Sequence, residues 1–203
     1  RSKKLRRSID IIKERIIHHN QRIGIISESE SYLEEIIYSN FEDRTQKLVI
    51  LKELKVELEN FLFIPILSNK KSKASKKKII PSPLEIKTNR GLLIKIGRNH
   101  RQNDWISMRK ARNGDLWFHA QECPGSHVVL KASSGLAGEE DIQLAADLAA
   151  FFSRAKGNLV VPVIMVKTDH LQRIPGAIPG TLRHRNGNLY WAKPSRAMKH
   201  LAL

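Results

Sequence analysis

The sequence predicts an α+β protein, a mostly antiparallel sheet with two main helices, preceded by a helical coiled-coil arm. Three observations indicate this fold class. Apolar residues recur at helical spacing before the first proline, Pro65. From Leu84 the apolar period becomes two, as in strands. One alanine-rich stretch, residues 139–156, keeps the helical period. We therefore expect an arm at residues 1–67, a linker at 68–83 and a folded domain at 84–203.

The arm is predicted from apolar residues three, four or seven positions apart, which is the spacing of a coiled-coil seam. Charges of both signs surround the seam, and the pattern is interrupted around residues 39–45. A helical hairpin closing on itself and one strand of a longer coil both fit; a short bundle packed on the domain is the alternative to a coiled-coil arm. The predicted seam comprises Leu5, Ile9, Ile12, Ile16, Ile23, Ile26, Leu33 and Ile37, and then Leu48, Leu51, Leu54, Leu58 and Phe61.

The charge of the chain is concentrated after the arm. The 203 residues carry a net charge of +16, but residues 1–67 hold 12 Lys+Arg against 11 Asp+Glu, and residues 68–203 hold 24 against 9, a net of +15. Six lysines among small polar residues make 68–83 a flexible basic linker. Such a balance predicts a polyanionic partner, nucleic acid or an anionic membrane surface.

Several features bear on the origin of the chain. It begins at Arg1 inside a helical pattern, so we expect a piece of a longer protein. A single cysteine, Cys123, excludes an internal disulfide and fits a reducing cytoplasm. No apolar run has the length of a membrane span, and no signal peptide is recognisable. We therefore expect a cytoplasmic location and no membrane partner.

The first half of the domain reads as a hairpin, a short helix and two strands. LEIKT and LLIKIG flank a turn at residues 89–91. Asn99 is a candidate cap for a helix running to about Ala111, with Trp105, Ile106 and Met108 available to the core. DLWFHA is a strand, and HVVLKA follows the turn at Pro124 as another.

The second half begins with the clearest helix, residues 139–156, acidic at its start and basic at its end. The apolar strand LVVPVIMVK and the loop IPGAIPG follow. TLRHR and NLYWAK, joined by an Asn-Gly pair, then predict a second hairpin.

Two polar segments are candidates for function. GRNHRQND, residues 97–104, offers cations and amides that suit phosphate and sugar contacts; the alternative is a polar junction with a capping asparagine. In DLWFHA, a strand directs Leu116, Phe118 and Ala120 one way and Asp115, Trp117 and His119 the other. The second set is either a buried strand with hydrogen-bonded histidines or a surface for stacking unpaired bases.

Catalytic interpretations of DLWFHAQECPGSH have less support than a buried strand or an RNA-binding surface. His119 and His127, with Asp115 or Cys123, match no established zinc spacing. A Cys123–His127 nucleophile would need a base and an oxyanion site that the sequence does not supply. The turn at Ser126 and the later IPGAIPGT loop are candidate anion-binding nests or plain loops.

The motifs together resemble a known family. GRNHRQNDWIS, DLWFHAQECPGSHVVL, LAADLAAFFSRAKGNLVVPVIMV and PGAIPG occur in one order with short spacings. This arrangement is similar to the NFACT RNA-binding domain of the family that includes RqcH and NEMF, whose older label is fibronectin-binding protein A-like. The resemblance covers residues 84–194, and the linker and heptads look like the distal part of that family's coiled-coil arm.

The resemblance implies a role in ribosome-associated quality control. Such proteins bind large ribosomal subunits that carry stalled peptidyl-tRNA, hold tRNA, and support template-free extension of the nascent chain, by alanine in the bacterial type. The ribosome makes the peptide bonds, so we expect neither a catalytic residue nor a cofactor here. Expected partners are tRNA, rRNA of the large subunit and the remaining domains of the same protein, with no DNA specificity.

Two segments agree well with the family pattern and define the predicted RNA surface. Departures occur at Ile164-Met165-Val166, where the family is polar, and at Ile178, where it has lysine; the second weakens the case for a contact by the late loop. The predicted RNA-binding residues are Arg98, Asn99, His100, Arg101, Gln102, Asn103, Asp115, Trp117, His119, Ser126, His127 and Lys131.

Two other function classes compete with the RNA-binding module. The first is a metal-assisted RNA-processing nuclease that uses Asp115, His119 and His127. The second is an extracellular adhesin, as the older family label suggests; the high positive charge and the lack of a recognisable signal argue against it. Metal-dependent cleavage of RNA would distinguish the nuclease from a binding module.

Overall fold

A computed structural model describes residues 2–38, 44–62, 81–175, 177 and 179–201. The chain divides into two compact units, Arg1–Asn69 and Lys70–Leu203. The predicted interruption of the arm falls mostly on residues 39–43 and the predicted linker mostly on residues 68–80, both outside the described residues. Ile178 in the late loop also lies outside the described residues, and the side chain of Phe61 in the second helix is not described.

The first unit is a helical hairpin. Helix α1 spans Ser2–Tyr38 and helix α2 spans Arg44–Leu62. Tyr32 and Ile36 are buried against Leu54, with Ile50, Leu51 and Leu58 packed around them. Residues near the end of α1 thus pack on the middle of α2, and Glu28, earlier in α1, lies beside Glu57, later in α2, so the two helices form an antiparallel hairpin.

The predicted seam of α1 is not the stripe that packs against α2 within this chain. Its members, from Leu5 to Ile37, are largely exposed, and Leu48 of α2 is exposed as well. The buried stripe contains Ile25, Tyr32 and Ile36 instead. Apolar residues occupy two neighbouring stripes of α1, and periodicity alone does not choose between them. Packing against α2 decides which stripe is buried.

The second unit is built on an antiparallel sheet, and the predicted α+β class is confirmed. Six strands lie in the order β1-β2-β4-β3-β5-β8, and every pair is antiparallel. A separate two-stranded sheet pairs β6 with β7. The strands are β1 (Leu84–Lys87), β2 (Leu93–Ile96), β3 (Leu116–Ala120), β4 (Val128–Leu130), β5 (Val161–Lys167), β6 (Leu171–Arg173), β7 (Leu182–His184) and β8 (Asn188–Ala192).

Three helices and three shorter turns complete the domain. They are α3 (His100–Trp105), which continues into a π-helical turn (Ile106–Lys110), α4 (Glu139–Phe151), α5 (Pro194–Met198), and the 3-10 turns Ala132–Ser134 and Thr168–His170. The predicted first hairpin is confirmed, with Leu84 opposite Ile96 and Gly91 at positive φ in its turn. Asn99 caps α3 as predicted, because its side chain accepts from the Gln102 N–H at 2.8 Å.

The two faces of the large sheet have different covers. On the face that we call the α4 face, Phe118, Val128 and Val163 pack with the alanines of α4, and Tyr190 and Ala192 of β8 join them. On the opposite face, the β6–β7 face, Trp117, Val129 and Val166 pack with Ile106 of the π-helical turn, Leu171 of β6 and Leu182 of β7. Each face therefore has its own apolar cluster, and the predicted core role of Ile106 is confirmed.

Helix α4 ends earlier than predicted. We expected it to reach Lys156, but it ends at Phe151. The carbonyl of Phe152 instead accepts from the Ser126 N–H at 2.9 Å, and the Arg154 N–H donates to the Pro124 carbonyl at 2.9 Å. Backbone pairing with the turn after β3 therefore replaces the last helical turn.

The predicted second hairpin is wrong. Strand β7 pairs with β6, whereas β8 pairs with β5 at the edge of the large sheet. The Asn-Gly pair lets the chain cross between the two sheets. A Cβ at Gly187 would lie 2.6 Å from Cδ1 of Ile164, so this crossing needs glycine for close approach.

Candidate nucleic-acid interface

Strand β3 presents its residues as alternation predicts. Phe118 and Ala120 are buried on the α4 face, and Trp117 is buried on the β6–β7 face. The ring of His119 stacks on Trp117, with centroids 5.7 Å apart and planes 9° apart. The candidate residues of β3 therefore lie on the face that the π-helical turn and β7 cover.

A buried polar chain links Trp117 to the turn after β3. The indole Nε1–H of Trp117 donates to Oγ of Ser107 at 3.1 Å, and this oxygen lies 2.9 Å from Nδ1 of His127. The His127 ring also meets the Trp117 ring edge-on, with centroids 5.0 Å apart. Ser107 was absent from the predicted site, because a serine in a helical stretch gives no signal by itself.

The predicted amides of GRNHRQND bond within the protein. Gln102 Oε1 accepts from the Arg98 N–H at 3.0 Å, and Asn103 Oδ1 accepts from the His127 N–H at 3.0 Å. With the capping Asn99, all three side chains are buried. This segment thereby anchors α3 to β2 and to the turn at His127, which corresponds to the polar-junction alternative.

Asp115 is fully buried and acts as an anchor. Its carboxylate accepts from the Arg112 N–H at 2.8 Å, the Ser133 N–H at 3.1 Å and the Ser133 hydroxyl at 2.5 Å, and it pairs with the Lys131 ammonium. Burial alone would raise the pKa of Asp115, but the hydrogen bonds from Lys131, Ser133 and Arg112 hold this pKa below its ordinary value. Asp115 and Lys131 therefore join the start of β3 to the turn after β4.

The histidines of the site are held neutral. Burial lowers the pKa of His119 to about 4 and that of His100 to about 4. The pKa of His127 is also well below its ordinary value, through burial and then the neighbouring His119 and His100. His184 of β7 lies over the same cluster, its ring centroid 6.2 Å from that of Trp117.

The predicted site residues thus fall into two groups. Most are buried and bonded internally: Asn99, His100, Gln102, Asn103, Asp115, Trp117, Ser126 and His127. Arg98, Arg101, His119 and Lys131 are half-buried. Charged contacts with RNA require accessible side chains, so the burial of the first group favours a positioning role, and the RNA contact of each residue stays a prediction.

The site predicted from the sequence did not include the exposed cations on the elements that cover the β6–β7 face. Residues 98–112 and 167–185 together contain nine Lys or Arg against two Asp. One of the aspartates, Asp104, is bonded to Arg173 at 2.8 Å. On the α4 face, α4 has four acidic residues and no Lys or Arg. The missed exposed residues are Arg109, Lys110, Arg112, Lys167, Arg173, Arg183 and Arg185.

The catalytic alternatives lack a common site. Among the described residues, no group of three His, Cys, Asp or Glu side chains is placed to hold a metal ion. Asp115 is tied to Lys131 at the start of β3, whereas His119 and His127 contact each other at its other end. Cys123 is half-buried and packs on the α4-face cluster. The three residues of the nuclease alternative are therefore not brought together.

The described helices include none with the length and apolar character of a membrane span.

Known proteins are similar to this chain in sequence and in fold. RqcH of Bacillus subtilis strain 168, named Rqc2 homolog, is 29% identical over 193 residues, which are 94% of this chain and 31% of that protein. The Rqc2 homolog RqcH of Streptococcus suis strain 05ZYH33 is 38% identical over 94 residues, 46% of this chain and 17% of that protein. The chain therefore spans about a third or less of the curated relatives that it matches.

A solved structure and a family description complete the comparison. The C-terminal part of the fibronectin/fibrinogen-binding protein from Streptococcus suis superposes with a TM-score of 0.78 at 25% identity, over 99% of this chain and 75% of that one. Residues 84–182 match the family described as the NFACT protein RNA binding domain. The resemblance of the motifs to this family is thereby confirmed over residues 84–182.

Proposed function

We propose that this chain is the RNA-binding module of a ribosome-associated quality control factor. It binds tRNA and the rRNA of the large ribosomal subunit during rescue of stalled ribosomes, and it supports C-terminal alanine tailing of nascent chains. The family of residues 84–182 and the names of the RqcH relatives support this role. Cytoplasmic location, cooperation with further domains of the same protein and lack of DNA specificity are parts of the same proposal.

The observation that carries the proposal is the one-sided charge of the folded domain. The elements over the β6–β7 face hold nine Lys or Arg against two Asp. On the other face, α4 has four acidic residues, of which the buried Asp141 and Asp147 pair with Arg90 and Arg196. Arg109, Arg183 and Arg185 are exposed. A phosphate backbone would be attracted more strongly to the β6–β7 side, which orients the RNA as well as binding it.

The proposed role needs no catalytic residue in this chain. The polar residues of the sequence motifs are occupied in holding α3, β3 and the turn at His127 together. They form a rigid support that places the exposed cations at fixed positions, as a binding surface requires. We therefore propose a binding module without enzymatic activity of its own.

Charge reversal on the two sides tests the proposal. Affinity for tRNA and for large-subunit rRNA would be measured by fluorescence anisotropy over a range of salt concentrations. We expect Arg183→Glu and Arg185→Glu each to weaken binding and to lower the salt slope by about 1, the value for one lost phosphate contact. Lys199→Glu, an exposed position after α5 on the α4 side, is the matched control. Equal effects at Lys199 and Arg183 would contradict the proposed orientation, and salt-insensitive binding would contradict the proposed ligand.

A second candidate function comes from the similar solved structure, which is the C-terminal part of a fibronectin/fibrinogen-binding protein. We include immobilised fibronectin in the same binding series. Saturable binding that survives high salt and the arginine reversals would favour this function, because nonspecific attraction between the basic surface and an acidic protein disappears with screening.

A further inference from the structure

Part of the β6–β7 face of the large sheet is left open at the β8 edge. Strand pairing aligns His119 with Ile164 and Ile164 with Leu189, and in the next row it aligns Pro162 with Trp191. These two rows follow the row that pairs Trp117 with Val166. The ring of His184 of β7 lies over Trp117. The side chains of His119, Ile164 and Pro162 are half-buried, whereas Leu189 and Trp191 of β8 are exposed.

Trp191 is the most prominent residue of this open patch. Its side chain is 63% exposed, and Leu189, two residues earlier on the same side of the strand, is 47% exposed. The intervening Tyr190 and the following Ala192 pack on the α4 face. The strand that carries the Trp191 indole is therefore fixed by packing on its opposite face, which holds the ring in place.

Cations border the open patch. Lys193 is exposed, two residues after Trp191 and in extended backbone, so it lies on the same side of the chain. Arg183 and Arg185, both exposed, are the sequence neighbours of His184, whose ring lies 6.2 Å from that of Trp117. An exposed aromatic ring between positive side chains is the arrangement with which proteins bind unpaired nucleotides, stacking the base and pairing the phosphates.

We propose that Trp191 is a stacking platform for an unpaired base of the bound RNA, with Leu189 and Pro162 as its apolar floor and Lys193 and Arg185 as phosphate contacts. This inference rests on the proposed function and deepens it, since it specifies single-stranded RNA as the ligand of this patch. An apolar protein partner fits the position less well, because the flanking side chains are cations and the exposed apolar area comprises few residues.

The test compares single-stranded and duplex RNA. A single strand of about 12 nucleotides, within the range of known single-strand sites, and a duplex of equal length would be titrated into the 203-residue chain. We expect Trp191→Ala to reduce affinity for the single strand by about 5- to 100-fold, the range for loss of one stacked base, and to leave duplex affinity unchanged. Trp191→Phe retains most of the affinity because it keeps an aromatic face.

The control is Leu136→Ala, which removes a more accessible apolar side chain (90% exposed) from the loop before α4. It should change neither affinity. If Trp191→Ala leaves single-strand binding unchanged while Arg183→Glu weakens it, the stacking platform is overturned and the proposed function stands. If the unsubstituted chain binds neither RNA in a salt-sensitive manner, the proposed function itself fails, and the inference fails with it.

Discussion

The hydroxyl oxygen of Ser107 lies 2.9 Å from Nδ1 of His127, which bonds the π-helical turn to the turn that follows β3. The same oxygen accepts from the Trp117 indole, and burial keeps the His127 ring neutral. In one tautomer of the neutral ring the Ser107 hydroxyl donates to Nδ1, and in the other it accepts from Nδ1–H; both arrangements satisfy the two side chains. Three distant segments of the sequence thus meet at one serine that composition did not single out.

Loss of this hydroxyl should destabilise the domain. Ser107→Ala leaves the buried Trp117 N–H and His127 Nδ1 without their partner, at a cost of about 1–3 kcal/mol for each unsatisfied group. The free energy of unfolding would be measured by urea titration. Ser134→Ala is the control, because the exposed Ser134 hydroxyl bonds only the Lys131 carbonyl at 2.6 Å. A loss at Ser107 no larger than at Ser134 would contradict the proposed role.

Stability should fall on mild acidification. The unfolded chain protonates its histidines near the ordinary pKa of 6.5, whereas in the folded protein burial lowers the pKa of His100 and of His119 to about 4. The stabilisation is therefore complete above about 6.5 and decreases as pH falls towards about 4, by about 1.4 kcal/mol per pH unit for each such histidine. Urea titrations at several pH values would measure this slope.

Substitution of one buried histidine should reduce the pH slope. His119→Gln removes one protonating group from the cluster, so the proton uptake on unfolding should decrease by up to one. His200→Gln, at an exposed position beyond α5, provides the control. A pH-independent free energy of unfolding between 7 and about 5 would refute the neutral histidine cluster.

The Asp115–Lys131 pair should behave as a buried ion pair. Asp115→Ala leaves the largely buried Lys131 ammonium and two backbone N–H groups without an acceptor, and removal of one partner of such a pair costs about 3–5 kcal/mol. Adding Lys131→Met should recover part of the loss, because the uncompensated charge is removed. Additive losses in the double variant, measured by thermal or urea unfolding, would show that the two side chains are not coupled.

Close packing at Gly97 gives a steric prediction. A Cβ at this position would lie 2.4 Å from Asn103 Oδ1 and 2.7 Å from the Asn103 backbone nitrogen. Gly97→Ala must therefore displace α3 from β2, with an expected cost of about 1–3 kcal/mol. Gly157→Ala meets no atom within 4 Å and is the matched control. An unchanged free energy of unfolding and an unchanged tryptophan fluorescence spectrum in Gly97→Ala would disprove the close approach.

Local patterns predicted most of the domain because each element carries its own signal. Alternation in DLWFHA assigned Phe118 and Trp117 to opposite faces, and Asn99 marked the start of α3. The failures are long-range. Helix α4 ends where the turn at Pro124 pairs with it, and β7 and β8 separate because each finds a different partner strand. No local period records such pairings.

By itself the sequence determined the α+β class, the order of most elements, the concentration of positive charge after the arm and the family of residues 84–182. Only the tertiary structure decided which polar residues of the motifs are accessible. Asn103, Asp115 and His127 were predicted as surface contacts from the sequence, yet they are buried and bonded to backbone N–H groups or to Ser107. Arg183, Arg185 and Trp191 gave no comparable local signal, and only the structure shows that all three are exposed.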